Sequence, residues 1–381
     1  MSEVIYYTSD EVGAPSFSNT VGAFTALLDA CLVNGFNART VTISVTGGVA
    51  TATASAHGYL ADRKLLIEGA ANSSLNGVKR IATVPSSNTF TFPAPGVADG
   101  TALGTITAKR APLGWDIRYT ATNKRVYGRT EPGRNDDVLF VDHTDAGTIK
   151  YGGAASASDI DTRVEPYGSS ASNWSYTTAS IPTPVMWVLV GDGRAFYFIN
   201  RLAATPSPSQ GMAASYFGDL IALRPDDNWC CGVHGADSPG GYALQLMGTG
   251  SAGSPGASTN AAMAIRRRAS GQVGKVGALV IPPWGSGAPW YNGNNLPLSG
   301  APFGVMPIAY PILGVGGDET YARFILPGLT CCAYGIVGTT GPDLHYKRFP
   351  TSLYDIPFDI LAVASGAFNT SYQFNTGENW R

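Results

Sequence analysis

Short runs of alternating apolar and polar residues, separated by turn-forming residues, constrain this chain most strongly. Val41, Ile43 and Val45 alternate with threonine and serine, and Gly47-Gly48 leads into a second alternating run. Period-two alternation places apolar side chains on one face of a β-strand, and paired glycines form tight hairpin turns. The chain also contains 47 glycines and 25 prolines, which favour short strands over long helices. The pattern predicts a mainly β protein.

One segment departs from this pattern and predicts an N-terminal helix over about residues 20–34. Ser18 or Thr20 would cap its start, and Asn34-Gly35 would end it. Residues 1–18, before it, are predicted to form an extended arm. The apolar residues of the helix fall at the spacing i, i+3, i+4, i+7 and i+8: Phe24, Leu27, Leu28, Cys31 and Leu32.

Strand and turn signals divide the chain into four predicted parts. Residues 40–108 contain five or six short strands, and a hairpin is predicted around Asp192-Gly193. The fold class is therefore mainly β, with an N-terminal helix, a small inserted module and a larger body. The parts are an N-terminal arm and helix at 1–39, a small β-barrel or sandwich module at 40–108, the first part of a β-sandwich-like body at 109–225, and its second part, with long loops and a C-terminal arm, at 226–381.

The charge content favours a chain that is largely covered by partners. Charged residues make up 14% of the sequence, against about 25% in typical soluble domains. The formal net charge of −2 argues against nucleic-acid binding, which usually needs a basic face. The one basic run, Arg266-Arg267-Arg268, is interpreted as a solvated or interface face rather than a phosphate site.

Cysteine usage and the N-terminal sequence favour synthesis in a reducing cytosol. The first thirteen residues lack the basic start and apolar core of a signal peptide. No apolar stretch approaches the roughly 18 residues that span a bilayer, so no membrane insertion is expected. The cysteines form two adjacent pairs and one singleton, which predicts free buried thiols rather than a disulfide framework: Cys31, Cys230, Cys231, Cys331 and Cys332.

Motifs for catalysis, cofactor binding and metal binding are not found, and the protein is predicted not to be an enzyme. Asp142-His143 could orient an imidazole, but neighbours on a strand point to opposite faces. Cys230 and Cys231, close to His234, are interpreted as buried small residues rather than a zinc site, and Cys331-Cys332 as part of a buried strand. Paired carboxylates for glycoside cleavage stay open as an alternative, because their separation is spatial. The candidates are Asp219, Asp226, Asp227, Asp318 and Glu319.

Three aromatic residues in a proline-rich loop are the candidate contact residues. Trp284, Trp290 and Tyr291 could stack on sugar rings, and aromatic residues of this kind are equally typical of protein–protein interfaces. They are therefore predicted to contact a glycan or a protein partner.

Several short stretches of the first 225 residues together carry a resemblance to a known family. They are residues 27–36, Gly47-Gly48-Val49-Ala50-Thr51, Ala56-His57-Gly58-Tyr59, Leu75-Asn76-Gly77, Asn88-Thr89-Phe90-Thr91-Phe92, and residues 108–115 and 191–194. These stretches resemble uncharacterised virion structural proteins of tailed bacteriophages, of the tail- or baseplate-associated type. The resemblance covers roughly the first 225 residues and implies a location in the particle rather than a reaction or catalytic residues.

The resemblance implies a virion subunit of the tail tip or baseplate, made in the host bacterial cytoplasm. The alternatives are a head decoration protein and a receptor-binding, glycan-binding or depolymerising tail protein. The expected partners are copies of itself, as a trimer or hexamer, and other virion proteins, with a host surface glycan as a further partner in the third case. The arm at 1–18, the loop at 238–260 and the tail at 368–381 are predicted to make contacts between subunits.

Overall fold

The computed structural model describes residues 3–168, 174–177, 183–201, 212–223, 229–234, 264–267, 273–280, 310–316, 322–331, 344–349, 360–365, 370–377 and 380. This part of the chain is mainly β with one short helix near the N-terminus, which confirms the predicted fold class. Its strands pair into four sheets. Two sheets form a small sandwich, and the other two enclose the main core together with the helix.

The small sandwich follows the helix in the chain. Strand β1 (Ile5–Thr8) precedes the helix and belongs to another sheet. The strands of the sandwich are β2 (Phe36–Thr40), β3 (Thr42–Thr46), β4 (Val49–Thr53), β5 (Lys64–Glu68), β6 (Gly77–Arg80), β7 (Thr83–Ser86), β8 (Thr89–Pro93), β9 (Gly100–Thr101) and β10 (Thr107–Arg110), with a 3₁₀ turn at Ser73–Leu75. One sheet has the order β2-β10-β5-β6 and the other β7-β8-β4-β3-β9. Alternate residues such as Ile43, Val45, Phe90 and Ile67 fill the core between them.

A six-stranded antiparallel sheet begins immediately after the sandwich. Its strands are β11 (Trp115–Ala121), β12 (Lys124–Arg129), β13 (Val138–Asp145), β14 (Thr148–Ala157), β15 (Arg163–Tyr167) and β16 (Trp174–Thr177). They follow chain order from β11 to β15, and β16 pairs with β14 beside β15. Short connections between consecutive antiparallel strands explain this simple order.

The large sheet contains thirteen strands of the described chain. After β1 they are β17 (Trp187–Gly191), β18 (Ala195–Arg201), β19 (Met212–Asp219), β20 (Ile221–Ala222), β21 (Trp229–His234), β22 (Ala264–Arg267), β23 (Val273–Val280), β24 (Tyr310–Gly316), β25 (Ala322–Cys331), β26 (Leu344–Phe349), β27 (Ile360–Ser365) and β28 (Thr370–Asn375). The path is β1-β17-β18-β19-β21-β22-β23-β24-β25-β28-β27-β26, with β20 paired to β25. The predicted hairpin is confirmed: Asp192 Oδ1 accepts hydrogen bonds from the Arg194 and Ala195 N–H groups, both at 2.8 Å.

Two hydrophobic cores lie on opposite faces of the large sheet. One fills the space between this sheet, the six-stranded sheet and the helix, and contains Leu139, Tyr151 and Phe198. The second core lies where the large sheet folds over itself. There the ring centroid of Tyr197 lies 4.9 Å from the ring centroid of Phe374 and 5.8 Å from that of Trp380. The body is therefore sandwich-like, and both faces of its central strands are buried.

The predicted helix is α-helical over α1 (Ala23–Leu28) and continues as a π-helical segment over Asp29–Asn34. Its apolar stripe is buried as predicted. The predicted caps, Ser18 and Thr20, are wrong: the N-cap is Gly22, and His143 Nδ1 accepts the Phe24 N–H at 3.2 Å. A residue 119 positions away supplies this cap, so local spacing could not reveal it.

The predicted arms do not project from the described structure. Strand β1 pairs with β17, and its four residues are buried, with Ile5 and Tyr7 in one core and Tyr6 in the other. In the tail, β28 lies between β25 and β27, and Trp380 is buried. The described parts of 1–18 and 368–381 are therefore packed into the body rather than forming extended arms, and their contacts between subunits stay a prediction. The loops at 238–260 and 282–305 lie outside the described residues.

Candidate functional site

The outer face of the five-stranded sheet of the small sandwich is exposed and carries no charge. We call it the threonine face. Ten of its twelve residues are threonine or serine, and the other two are valine and proline. Thr89 and Thr91 are half-buried and the others are exposed: Thr42, Ser44, Thr46, Val49, Thr51, Thr53, Thr83, Ser86, Thr89, Thr91, Pro93 and Thr101.

Strand pairing aligns these residues into rows. Thr51, on the central strand β4, lies between Ser44 on β3 and Thr91 on β8. The row continues on β7, where the Thr83 and Thr91 hydroxyls lie 2.7 Å apart. Cross-strand neighbours of this kind are about 5 Å apart. The face is therefore a regular array of hydroxyl and methyl groups.

The opposite outer face of the same sandwich is charged. Lys64, Glu68, Arg80 and Lys109 lie on strands β5, β6 and β10, and Lys109 forms an ion pair with Glu68 at 3.5 Å. A soluble protein surface is well served by charged residues at about 25–35% of its positions, the proportion used in protein design. Because one sandwich has a charged face and an uncharged face, the absence of charge from the threonine face is a local property.

The alternation of core residues with threonine and serine along each strand produces the threonine face. In Thr42-Ile43-Ser44-Val45-Thr46 and Thr89-Phe90-Thr91, each apolar residue points into the core and each hydroxyl residue points outward. The aromatic rings of Tyr59, Phe90 and Phe92 are buried inside the sandwich. Ten of the twelve outward positions are threonine or serine, which the alternation in the sequence displays, but only the sheet order shows that they share one face.

A buried ion cluster attaches the sandwich to the body. Arg110 Nε lies 2.5 Å from Glu11 Oε2, and Arg63 Nε lies 3.1 Å from Glu11 Oε1. Arg110 also donates to the Tyr6 carbonyl oxygen at 2.7 Å and to the Lys64 carbonyl oxygen. All three charged side chains are at most 6% exposed. Because Glu11 follows β1 whereas both arginines belong to the sandwich, this cluster fixes how the threonine face is presented.

Asp219 was a candidate carboxylate for glycoside cleavage, and the structure places it in a second buried cluster. Arg129 Nη1 donates to Asp219 Oδ1 at 2.5 Å, and the Asn135 N–H donates to Asp219 Oδ2 at 3.1 Å. Arg129 also donates to the Asp137 carbonyl oxygen at 2.9 Å. The Asp219 side chain is 4% exposed, so it cannot reach a substrate in a cleft. Its observed role is to link β19 to the six-stranded sheet.

The first cysteine pair lies beside this cluster. Cys230 and Cys231 are buried in β21, as predicted, and burial raises the pKa of both thiols, that of Cys230 to about 11. Neutral thiols of this kind are weak nucleophiles. Among the described residues, no group of three histidine, cysteine or acidic side chains could hold a metal ion.

The interpretation of the basic run as a solvated or interface face is wrong for Arg266. This side chain is 9% exposed and lies 3.5 Å from Asp137 and 3.3 Å from Glu165. Arg267 packs its guanidinium 4.4 Å above the Trp229 ring. Arginines on a buried strand are accommodated by such partners, which adjacent sequence does not display.

His143 is a buried helix cap rather than a base. It is fully buried, and desolvation lowers its pKa to about 4, so Nδ1 is free to accept the Phe24 N–H at neutral pH. The neighbouring Asp142 carboxylate instead accepts from the Thr144 hydroxyl at 2.6 Å. His143 therefore caps the helix, whereas Asp142 binds Thr144, and the two side chains do not act together.

The remaining candidates fall outside the described residues. They are the predicted contact residues Trp284, Trp290 and Tyr291 and the candidate carboxylates Asp226, Asp227, Asp318 and Glu319. Within the described part of the chain, no helix is long and apolar enough to span a lipid bilayer.

Neither a protein-family model nor a curated protein sequence is significantly similar to this chain.

Proposed function

We propose that this chain is a structural subunit of a tailed-bacteriophage particle, located at the tail tip or baseplate, and that it assembles through the threonine face. The observation that carries the proposal is an exposed sheet face with no charged residue among its twelve members. Protein interfaces are depleted of charge at their centres, whereas free surfaces are rich in it. The low charge of the whole chain, 14%, agrees with a subunit that is largely covered.

The burial of the ionisable groups supports a structural role over an enzymatic one. Glu11 and Asp219 form short ion pairs with arginines, and His143 caps a helix. Buried groups with such partners stabilise the fold, whereas catalytic acids and bases must contact a substrate. The resemblance of roughly the first 225 residues to phage virion proteins supports the proposed location.

Light scattering coupled to size-exclusion chromatography tests the proposal, together with mass spectrometry of purified virions. We expect a stable trimer or hexamer and several copies of the chain in each particle. Detection in the head fraction alone would favour the head decoration alternative. A monomer that is absent from virions would contradict the proposal.

A further inference from the structure

We propose that the threonine face binds the same face of a second copy of this chain, so that subunits associate in pairs about a two-fold axis near Thr51. This inference rests on the proposed assembly role and names the partner of its contact surface. Four features of the sandwich lead to it.

Electrostatics makes the face compatible with itself. In a two-fold contact, the same patch meets its own copy, so a charged residue near the axis would meet a like charge. The threonine face avoids this problem because none of its twelve residues is charged. The acidic residue that borders it, Asp99, accepts a hydrogen bond from the Gly47 N–H at the turn between β3 and β4, away from the central row.

The hydrogen-bonding chemistry is also self-complementary. Each threonine or serine hydroxyl is both a donor and an acceptor, so two such arrays can satisfy each other without a fixed polarity. Within one copy, the Ser86 and Thr89 hydroxyls already interact in this way at 2.8 Å. The threonine methyl groups and Val49, which is 46% exposed, would supply apolar contact.

The composition of the face does not fit a sugar ligand as well. Sugar rings stack on exposed aromatic side chains, but the aromatic residues of this sandwich, including Phe90 and Phe92, point into its core. An anionic partner would find no cation on the face.

The size of the face predicts that the contact is weak by itself. Five strands at about 4.8 Å spacing and five residues at about 3.3 Å give roughly 400 Å² per copy. A standard interface uses about 800 Å² per partner, so we expect the contact through this face alone to be weak. In a particle, other contacts raise the effective concentration and make such a weak contact sufficient. A hexamer would then consist of three pairs.

Thr51 provides the test, because it lies on the central strand and is exposed. Sedimentation equilibrium of the full chain should show the mass of the basal assembly doubling as concentration rises from about 1 μM to 1 mM. Thr51→Lys and Thr51→Glu should each weaken this doubling about tenfold or more, because like charges meet at the axis. An equimolar mixture of the two variants should restore it, and added salt should weaken the mixture but not the wild type.

Thr120→Lys is the matched control, since Thr120 is exposed on β11, outside the sandwich. This control should associate like the wild type, and all variants should keep the wild-type melting temperature. Doubling that persists in Thr51→Lys, or a mixture that does not associate, would overturn the face-to-face contact. A wild-type mass that is constant at all concentrations would also overturn it, yet the chain's presence in virions would still support the proposed function.

Discussion

Single residues show how this protein keeps ionisable groups inside its cores. Glu11 and Asp219 each form a buried ion pair in which a carboxylate oxygen lies 2.5 Å from an arginine nitrogen. Breaking such a pair is costly because a buried charge remains without a partner. His143 is instead buried without a charge: its neutral imidazole accepts a backbone hydrogen bond at the helix N-terminus. A protonated imidazole would lose this hydrogen bond and place a positive charge at the positive end of the helix.

Stability should therefore depend on the protonation of His143. Its native pKa of about 4 lies below the ordinary value of 6.5, so between these values the unfolded chain binds a proton that the native protein does not. The free energy of unfolding should fall by about 3 kcal/mol from this residue as the pH decreases from about 6.5 to 4. His143→Asn retains an acceptor but does not titrate, so urea unfolding across this range should show a smaller loss. Equal pH dependence in both proteins would contradict the assigned role.

At the scale of elements, alternation located the small sandwich, but the sandwich has nine strands rather than the five or six predicted. The sequence pattern also located the helix and the hairpin around Asp192-Gly193, because periodicity and turn chemistry are local. It failed for β1, whose residues Ile5 and Tyr7 face one core and Tyr6 the other. A strand buried on both faces shows no alternation, and only its pairing with β17 reveals it. The sequence pattern also did not reveal the buried ion clusters, because their members are far apart in the chain: Glu11 and Arg110 are 99 residues apart.

The orientation of the sandwich on the body should depend on Glu11. Glu11→Gln leaves Arg63 and Arg110 without their shared carboxylate, and we expect the free energy of unfolding to fall by about 3 kcal/mol or more. The control is Asp62→Asn, which breaks an ion pair with Arg80 whose side chains are 44% and 41% exposed. That change should cost about 1 kcal/mol or less. Similar losses for both variants in urea unfolding would show that the buried cluster does not anchor the sandwich.

At the scale of the whole molecule, the candidate site could be predicted only in part. The hydroxyl residues of the threonine face are apparent in the sequence, yet their alignment requires the order β7-β8-β4-β3-β9, in which β8 pairs with β4 and β9 pairs with β3 across long sequence separations. The sandwich presents this uncharged face outward, while the Glu11 cluster and Lys64, which pairs with Glu3, connect the sandwich to the rest of the chain. This arrangement is what an assembly subunit needs: a rigid body and a contact surface held in a fixed direction.

Thiol labelling in intact particles tests the central claim most directly. A phage carrying Thr51→Cys would be treated with a maleimide, with wild-type particles giving the background from the native cysteines and denatured particles giving the full signal. We expect residue 51 to react rapidly in the isolated chain at low concentration, where it is exposed. In particles, which should contain the chain, we expect its reaction to be suppressed. Equally rapid labelling in particles and in the isolated chain would contradict the assignment of the threonine face as an assembly surface.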